Sequence, residues 1–404
     1  MKHSSRFTLL AAGAVAAAAL AACGGGGGGD STAPAPVSTL GTLSVGITDA
    51  PACGFDAVNV TVSKVRVNKS ATATETEAGW TDITLSPAKK INLLNLTNGV
   101  LETLGQTSLE AGTYTQIRLV LDANTNGNAN TVVPTGSTAE QALDTPSAVQ
   151  SGIKLVGQFD VAAGQRSDVV IDFDACKSVI TKGNGKYALK PVVKMLPSAI
   201  NGISGFVSTA LLGSHVTVSA QQNGNIVSST TPNATTGEFL LSRLVPGSYD
   251  VVITSDTSAA SVIAAVPVAS TSSNTALSTA AVPLSLVPSI AGTISGTVTL
   301  TPASATEVAY VAAKQTFAAG PTVTVKYKGA DLASGAYTLA NLPVAAPQYA
   351  TYSATLPLVF AASTATAAGK YRVDASATGY ATKTVDPVDV STQNQANVNF
   401  ALVP

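Results

Sequence analysis

Leu43-Ser44-Val45-Gly46-Ile47 places apolar residues at 43, 45 and 47 with small or polar ones between, the period of a strand with one buried face. The same period recurs along the chain and decides its class. Val58, Val60 and Val62 keep the alternation, and Val65 and Val67 fall out of phase, as a bulge near Ser63 or Lys64 would produce. Thr48-Asp49-Ala50-Pro51, between the two runs, reads as a turn. Further strands are expected at Trp80 to Leu85, Tyr114 to Leu121, Leu155 to Val161, Asp168 to Phe173 and Tyr187 to Met195. Short helices are expected only at Leu93 to Leu104 and Thr138 to Leu143. Strands at this spacing, separated by Gly, Asn and Pro turns, argue for antiparallel β-sandwiches.

Composition supports the same class. Charged residues make up 11% of the 404, over a background rich in Ala, Thr, Ser and Val, as in extracellular β-modules. No basic field for nucleic acid exists.

Lys2 and Arg6 flank the apolar stretch Phe7 to Leu20, and small residues precede Cys23, which gives the three parts of a secretory signal. The stretch is shorter than the roughly 20 apolar residues a membrane helix needs. Leu20-Ala21-Ala22-Cys23 resembles the lipobox of bacterial lipoproteins at all four positions. The resemblance implies removal of residues 1–22, lipid attachment at Cys23 and anchoring to membrane through that lipid. Gly24, where inner-membrane-retained lipoproteins typically carry aspartate, favours the outer membrane, with the leaflet open. The competing reading is an ordinary signal peptide whose cleavage site abuts a cysteine. Without its leader the chain has 382 residues, a net charge near −3 and room for two or three domains.

Cys53 and Cys176 then remain as an even pair in an oxidising compartment, where a disulfide is the default reading and two buried thiols the alternative. Residues 23–39, with Gly24 to Gly29 and the Pro-containing run after it, read as a lipidated flexible tether. Residues 40–197 form the first sandwich domain. Its motifs, Leu43 to Pro51, Trp80, Leu93-Leu94, Ala111 to Tyr114, Asp172-Phe173-Asp174 and Leu189-Lys190-Pro191-Val192, resemble an uncharacterised domain family of bacterial envelope lipoproteins. That family brings no established activity.

The second half repeats itself. Ile203-Ser204-Gly205-Phe206-Val207 recurs as Ile294-Ser295-Gly296-Thr297-Val298, and Val216-Thr217-Val218 as Val323-Thr324-Val325. Gly237 to Leu241 with Leu244-Val245-Pro246 recurs as Gly335 to Leu339 with Leu342-Pro343-Val344. The units end on Asn274 to Leu286 and Asn394 to Leu402. An offset near 91 residues fits tandem small sandwiches, at 198–290 and 291–404. The first copy, with Thr236-Gly237-Glu238-Phe239, Leu244 and Pro246 to Val251, resembles the carboxypeptidase-regulatory-like, prealbumin-type module. The second departs from it, because its Gly369 to Val373 strand comes after an insertion of about 25 residues. The expected fold class is all-β, with tandem antiparallel β-sandwiches of Ig or prealbumin type and one or two short helices in the first.

Chemistry-bearing constellations are sparse. With the leader removed, His215 is the only histidine, which excludes multi-histidine zinc sites and leaves one base for a serine triad. Alternation places it on an exposed strand face, opposite the buried valines. Asp172 and Asp174 lie two apart and share a face, as an acid/base pair would, or as solvated carboxylates ending a strand do. Asp122, Asn124 and Asn126, with Gly127 next, match the opening of an EF-hand-like calcium loop, but its twelfth position is Val133 instead of glutamate. The competing reading is a polar hairpin loop with no cofactor. Tyr327, Tyr337, Tyr349, Tyr352, Tyr371 and Tyr380 concentrate in the last module; most are expected to be core or strand-packing residues, and its insertion, Ala345 to Gly369, is the place to look for ligand binding.

The sequence therefore reads as a noncatalytic, lipid-anchored cell-envelope protein displaying modules for protein or glycan partners. A structural envelope-assembly lipoprotein without soluble ligand is the alternative, then a calcium-dependent module or an unrecognised hydrolase.

Overall fold

In a computed structural model, the described residues are 39–50, 54–125, 128–183, 185–197, 201–318, 320–363 and 368–404. The leader, Cys23, Cys53 and Asn126 lie outside them. Thr39–Pro404 form a single compact unit whose regular secondary structure is nearly all strand. Among the described residues no helix is long and apolar enough to cross a membrane.

The first sandwich packs two sheets. One has the spatial order Val193–Pro197, Arg166–Asp174, Leu40–Ala50, Glu102–Glu110. The other is built on Phe55–Asn68, which pairs with Thr81–Asn92, Gly112–Leu121 and Thr131–Pro134. Leu43, Val45, Ile47, Val58, Val60, Val62, Val65 and Val67 are all fully buried in the shared core, as the alternation requires. The phase change between Val62 and Val65 is a bulge, at which both ladders of the strand shift register between Val62 and Lys64.

Four local expectations fail, the first because Tyr187 to Met195 are two strands in different sheets, Tyr187–Leu189 and Val193–Pro197. Thr48 to Ala50 continue the first strand, because Arg166–Asp174 lies parallel to it and holds its backbone through the pair Ala50 and Asp174. Only Leu93–Leu96 of the expected helix at 93–104 is helical, as a 3₁₀ turn capped by Asn92, and Glu102–Glu110 is a strand whose partner is the first strand. Thr138 to Leu143 likewise give way to the strand Gln141–Asp144, and the helix lies at Pro146–Gln150, where proline suits the first turn.

The second and third sandwiches share one topology. In the second, Gly202–Phe206 is flanked by Glu238–Ser242 and, in parallel, by Asn274–Ala276; in the third, Ala291–Leu300 is flanked by Ala336–Pro343 and, in parallel, by Phe400–Leu402. The facing sheets run Asn225–Thr230, Thr217–Gln222, Gly247–Ser255, Ser258–Val268 and Thr322–Gly329, Tyr310–Thr316, Lys370–Ser376, Lys383–Asp389. This order corrects one pairing of the repeat. Val323 to Val325 correspond to the outer strand Asn225–Thr230, and the counterpart of Thr217–Gln222 is Tyr310–Thr316. Gly237 and Gly335 occupy equivalent corners with φ of +72° and +69°. A Cβ at either would meet a carbonyl oxygen at 2.2 Å, that of Val207 or Val298, so both positions require glycine.

Each sandwich also carries a Gly-x-Tyr corner, in which a buried tyrosine donates its hydroxyl to an upstream carbonyl. Tyr114 reaches Glu110 O at 3.1 Å and Tyr249 reaches Val245 O at 2.7 Å, each four residues back. Tyr371 makes the same bond to Pro343 O at 2.6 Å across 28 residues. The insertion of the third module therefore lies inside its tyrosine corner.

Candidate functional site

That insertion is a strap laid along the second sandwich. Its strand Gln348–Thr351 joins the sheet of the second sandwich, parallel to Ser258–Val268, and Ala361–Ala362 is the outermost strand beyond it. Tyr352 N donates to Ala264 O at 2.9 Å. Tyr352, Leu358 and Phe360 pack on the core of the second sandwich. Tyr349 lies 5.3 Å from the Phe317 ring, over a small core of Val252 and Val262 from the second sandwich and Phe317 and Val323 from the third. Tyr337 and Tyr371 are buried with their hydroxyls bonded to backbone, and Tyr380 donates to Pro302 O.

Beside the strap, Gln221 clasps the third sandwich. Its Nε2 donates to Thr324 O and its Oε1 accepts from Thr324 N, both at 2.8 Å and fully buried. Nearby, Asp256 accepts from Lys326 Nζ at 3.2 Å and lies 2.9 Å from His215 Nδ1. His215 is not on a strand face. It comes directly after the 3₁₀ turn Thr209–Ser214 with φ of +50°, and its side chain is 65% exposed. The Asp–His contact is half of a serine triad, but among the described residues nothing is hydrogen-bonded to Nε2. Burial pushes the Asp256 carboxyl up, but Lys326, His215 and Asn341 outweigh it and hold it below the usual range. A depressed carboxyl stabilises the fold above its unfolded pKa, and this is lost as pH falls through the folded value. Asp256→Asn should therefore lower stability at pH 7 by about 1 kcal/mol and leave it unchanged in strong acid, measured by urea unfolding.

In the first sandwich, three of the resemblance motifs, those of Asp49, Asp174 and Val192, meet at one short helix, Ala175–Ser178. Asp49 Oδ1 accepts from Ala175 N and Asp174 Oδ1 from Lys177 N, both at 3.0 Å, so two carboxylates hold its otherwise unpaired amides. Val192 N donates to Ser178 Oγ at 2.8 Å and Asp174 N to Val192 O at 2.9 Å, which fixes Leu189-Lys190-Pro191-Val192 against the same helix. The helix carries Cys176. Asp174 also pairs with Lys177 at 3.2 Å, so it serves as a cap.

Asp172 and Asp174 do share a face, and it opens on a narrow crevice between the first and second sandwiches. Val192 and Lys194 line one side and Ile226, Val227, Ser228 and Ser229 the other. Asp172 is half-buried instead of solvated. Burial pushes its carboxyl up to about 6, against Lys194, Arg243 and Lys177, with Asp174 adding to the rise. Elsewhere on the same junction, Asn98 acts as a strand mimic. Its Nδ2 donates to Glu238 O and its Oδ1 accepts from Leu240 N, while its own N donates to Thr230 Oγ1. The first and third sandwiches join through Lys190 and Glu307 at 2.9 Å, Tyr310 Oη to Lys177 O at 2.6 Å and Leu332 N to Thr181 O at 3.1 Å. All three pairs of sandwiches are thus in contact.

In the Asp122 loop, the Asn124 side chain and the Asp122 main-chain carbonyl are bonded within the protein. Asn124 Oδ1 accepts from Asn130 N at 2.7 Å, Asn124 Nδ2 donates to Asn130 O and Leu143 O, and Asp122 O accepts from Asn130 Nδ2. Among the described residues no group of three or more His, Cys, Asp or Glu side chains could hold a metal ion. Millimolar calcium is expected to leave the thermal midpoint within about a degree, whereas a site specific to the native state would raise it with concentration.

Sequence reasoning missed Gln221, Arg243, Asp256, Thr324 and Lys326. Each gains its role from a partner in another strand or module, so no local spacing marks it.

Residues 40–191 match the sequence model of a family described as a domain of unknown function, DUF4382. No curated protein matches the chain. Among solved structures, a type II cohesin–X–dockerin complex from Acetivibrio cellulolyticus is 23% identical over 22% of this chain and 58% of its own, with a TM-score of 0.19. BcpA, the major pilin subunit of Bacillus cereus, is 13% identical over 90% of this chain and 99% of its own, at 0.16. The Corynebacterium diphtheriae major pilin SpaA is 12% identical over 90% and 100%, at 0.19. The chain spans 58% and 50% of the first two structures it matches, the second being the Bacillus anthracis TIE protein.

Proposed function

We propose that this is a noncatalytic cell-envelope protein, held to membrane by lipid on Cys23, that presents three interlocked sandwiches as one body to a protein or glycan partner. The observation that carries the reading is the interlock. A strand from the third module completes a sheet of the second, and both grip the first, which suits a rigid scaffold. The Leu20-Ala21-Ala22-Cys23 signature supports the address. Cys23→Ser should move the protein from the membrane pellet to the soluble fraction, and an unchanged pellet fraction would sink the anchor. Protease shaving of intact cells then separates surface from periplasmic display, since only a surface-facing chain is cut.

A Cys53–Cys176 bridge belongs to the same reading. The parallel pairing of Ala50 with Asp174 sets side by side two positions that precede these cysteines by three and two residues. Closing a loop of about 120 residues contributes about 4 to 5 kcal/mol in the chain-entropy model. Thiol alkylation of the unreduced, denatured protein should leave both unlabelled.

A further inference from the structure

The crevice between the first and second sandwiches holds a carboxylate that, among the described residues, has no direct ion pair. Asp172 faces Lys194 across the strand ladder, Asp174 on its own strand, Lys177 on the short helix and Arg243 from the second sandwich. Each of these is engaged elsewhere or held back. Lys194 Nζ crosses the junction to Val227 O at 3.3 Å, and Lys177 pairs with Asp174 and lies 5.4 Å from the centre of the Tyr327 ring. Arg243 is 6% exposed with φ of +59°, donates from Nη1 to Ser242 Oγ, and keeps Nε buried with no hydrogen-bond partner among the described residues.

We propose that protonation of Asp172 sets how tightly the first sandwich docks on the second, so that the junction tightens in mild acid and has loosened by neutrality. Docking covers the carboxylate without giving it a bonded cation, so the neutral form costs less in the closed crevice than the ionised one. With the junction open, water reaches the group and its ordinary carboxylate pKa returns. The closed state therefore binds the proton more strongly. Docking is strengthened as pH falls through about 6 and loses that strengthening as pH rises back through it, with no further change once the group is ionised in both states, the reverse of the Asp256 bridge.

The amides of Asn98 and Leu240 report the junction, because their acceptors, Thr230 Oγ1 and Asn98 Oδ1, lie across it. Hydrogen exchange on the mature chain, corrected for intrinsic rates, should show their protection falling about tenfold from about pH 5 to about pH 7.5, the equivalent of roughly one unit of differential protonation. Asp172→Asn should hold protection high at both pH values. Lys194→Met removes the strongest cationic pull on the carboxylate, so loosening should begin only at higher pH. Core amides such as Val251 should not change in either variant. Identical pH courses in wild type and Asp172→Asn, or an unmoved course in Lys194→Met, would overturn the proposal.

Discussion

Tyr371→Ala is expected to destabilise the protein by about 3 to 5 kcal/mol, the range for emptying a large buried aromatic site. The ring is 1% exposed, and its hydroxyl holds Pro343 O at the point where the strap leaves the third sandwich. Losing it opens a cavity and also frees one end of the segment that completes the neighbouring sheet. Tyr371→Phe keeps the ring and should cost about 1 kcal/mol. Tyr249→Phe supplies the control, since Tyr249 makes the same corner bond with no insertion behind it. Both phenylalanine variants should show similar losses in denaturant, but only Tyr371→Phe should speed exchange at Tyr352 N, the amide that ties the strap to Ala264 O.

Gln221→Ala should cost about 2 to 4 kcal/mol, because it leaves the N–H and C=O of Thr324 unsatisfied in a site closed to water. Orphaned buried groups account for more of this loss than the bonds themselves. Gln221→Glu tests the geometry. Its carboxylate could still accept from Thr324 N but would face the Thr324 carbonyl with no donor, so it should be nearly as harmful at neutral pH and milder when protonated. A loss under about 1 kcal/mol for both variants in urea unfolding would mean that the clasp is not closed in solution.

The strands were legible where one face is buried and the other is not. Leu43 to Ile47 and Val58 to Val67 show period two because one side meets the core, and the bulge between Val62 and Val65 is visible as a phase error. Glu102–Glu110 was not, since only Leu104 and Leu109 of its side chains are buried and Gly105 interrupts the pattern. Thr48-Asp49-Ala50-Pro51 carries turn chemistry, yet a parallel neighbour from about 120 residues away holds Thr48 to Ala50 extended. The repeat was legible from its glycine corners and aromatic strands, but Val323 to Val325 were matched to the wrong strand because three-residue Val-Thr-Val patterns recur on any half-buried strand. Of the candidate site, Asp172 and Asp174 were visible as a pair. Their environment was not, because it is made by residues from the second and third sandwiches.

The interlock requires the strap from the third sandwich to be a permanent strand of the second. Hydrogen exchange at the amides shared between Ser258–Val268 and Gln348–Thr351, together with Tyr352 N, tests this most directly. Protection matching that of the buried ladder between Thr217–Gln222 and Gly247–Ser255 is the expected result. Exchange at the rate of an open sheet edge, with the Thr217–Gln222 ladder still protected, would contradict it.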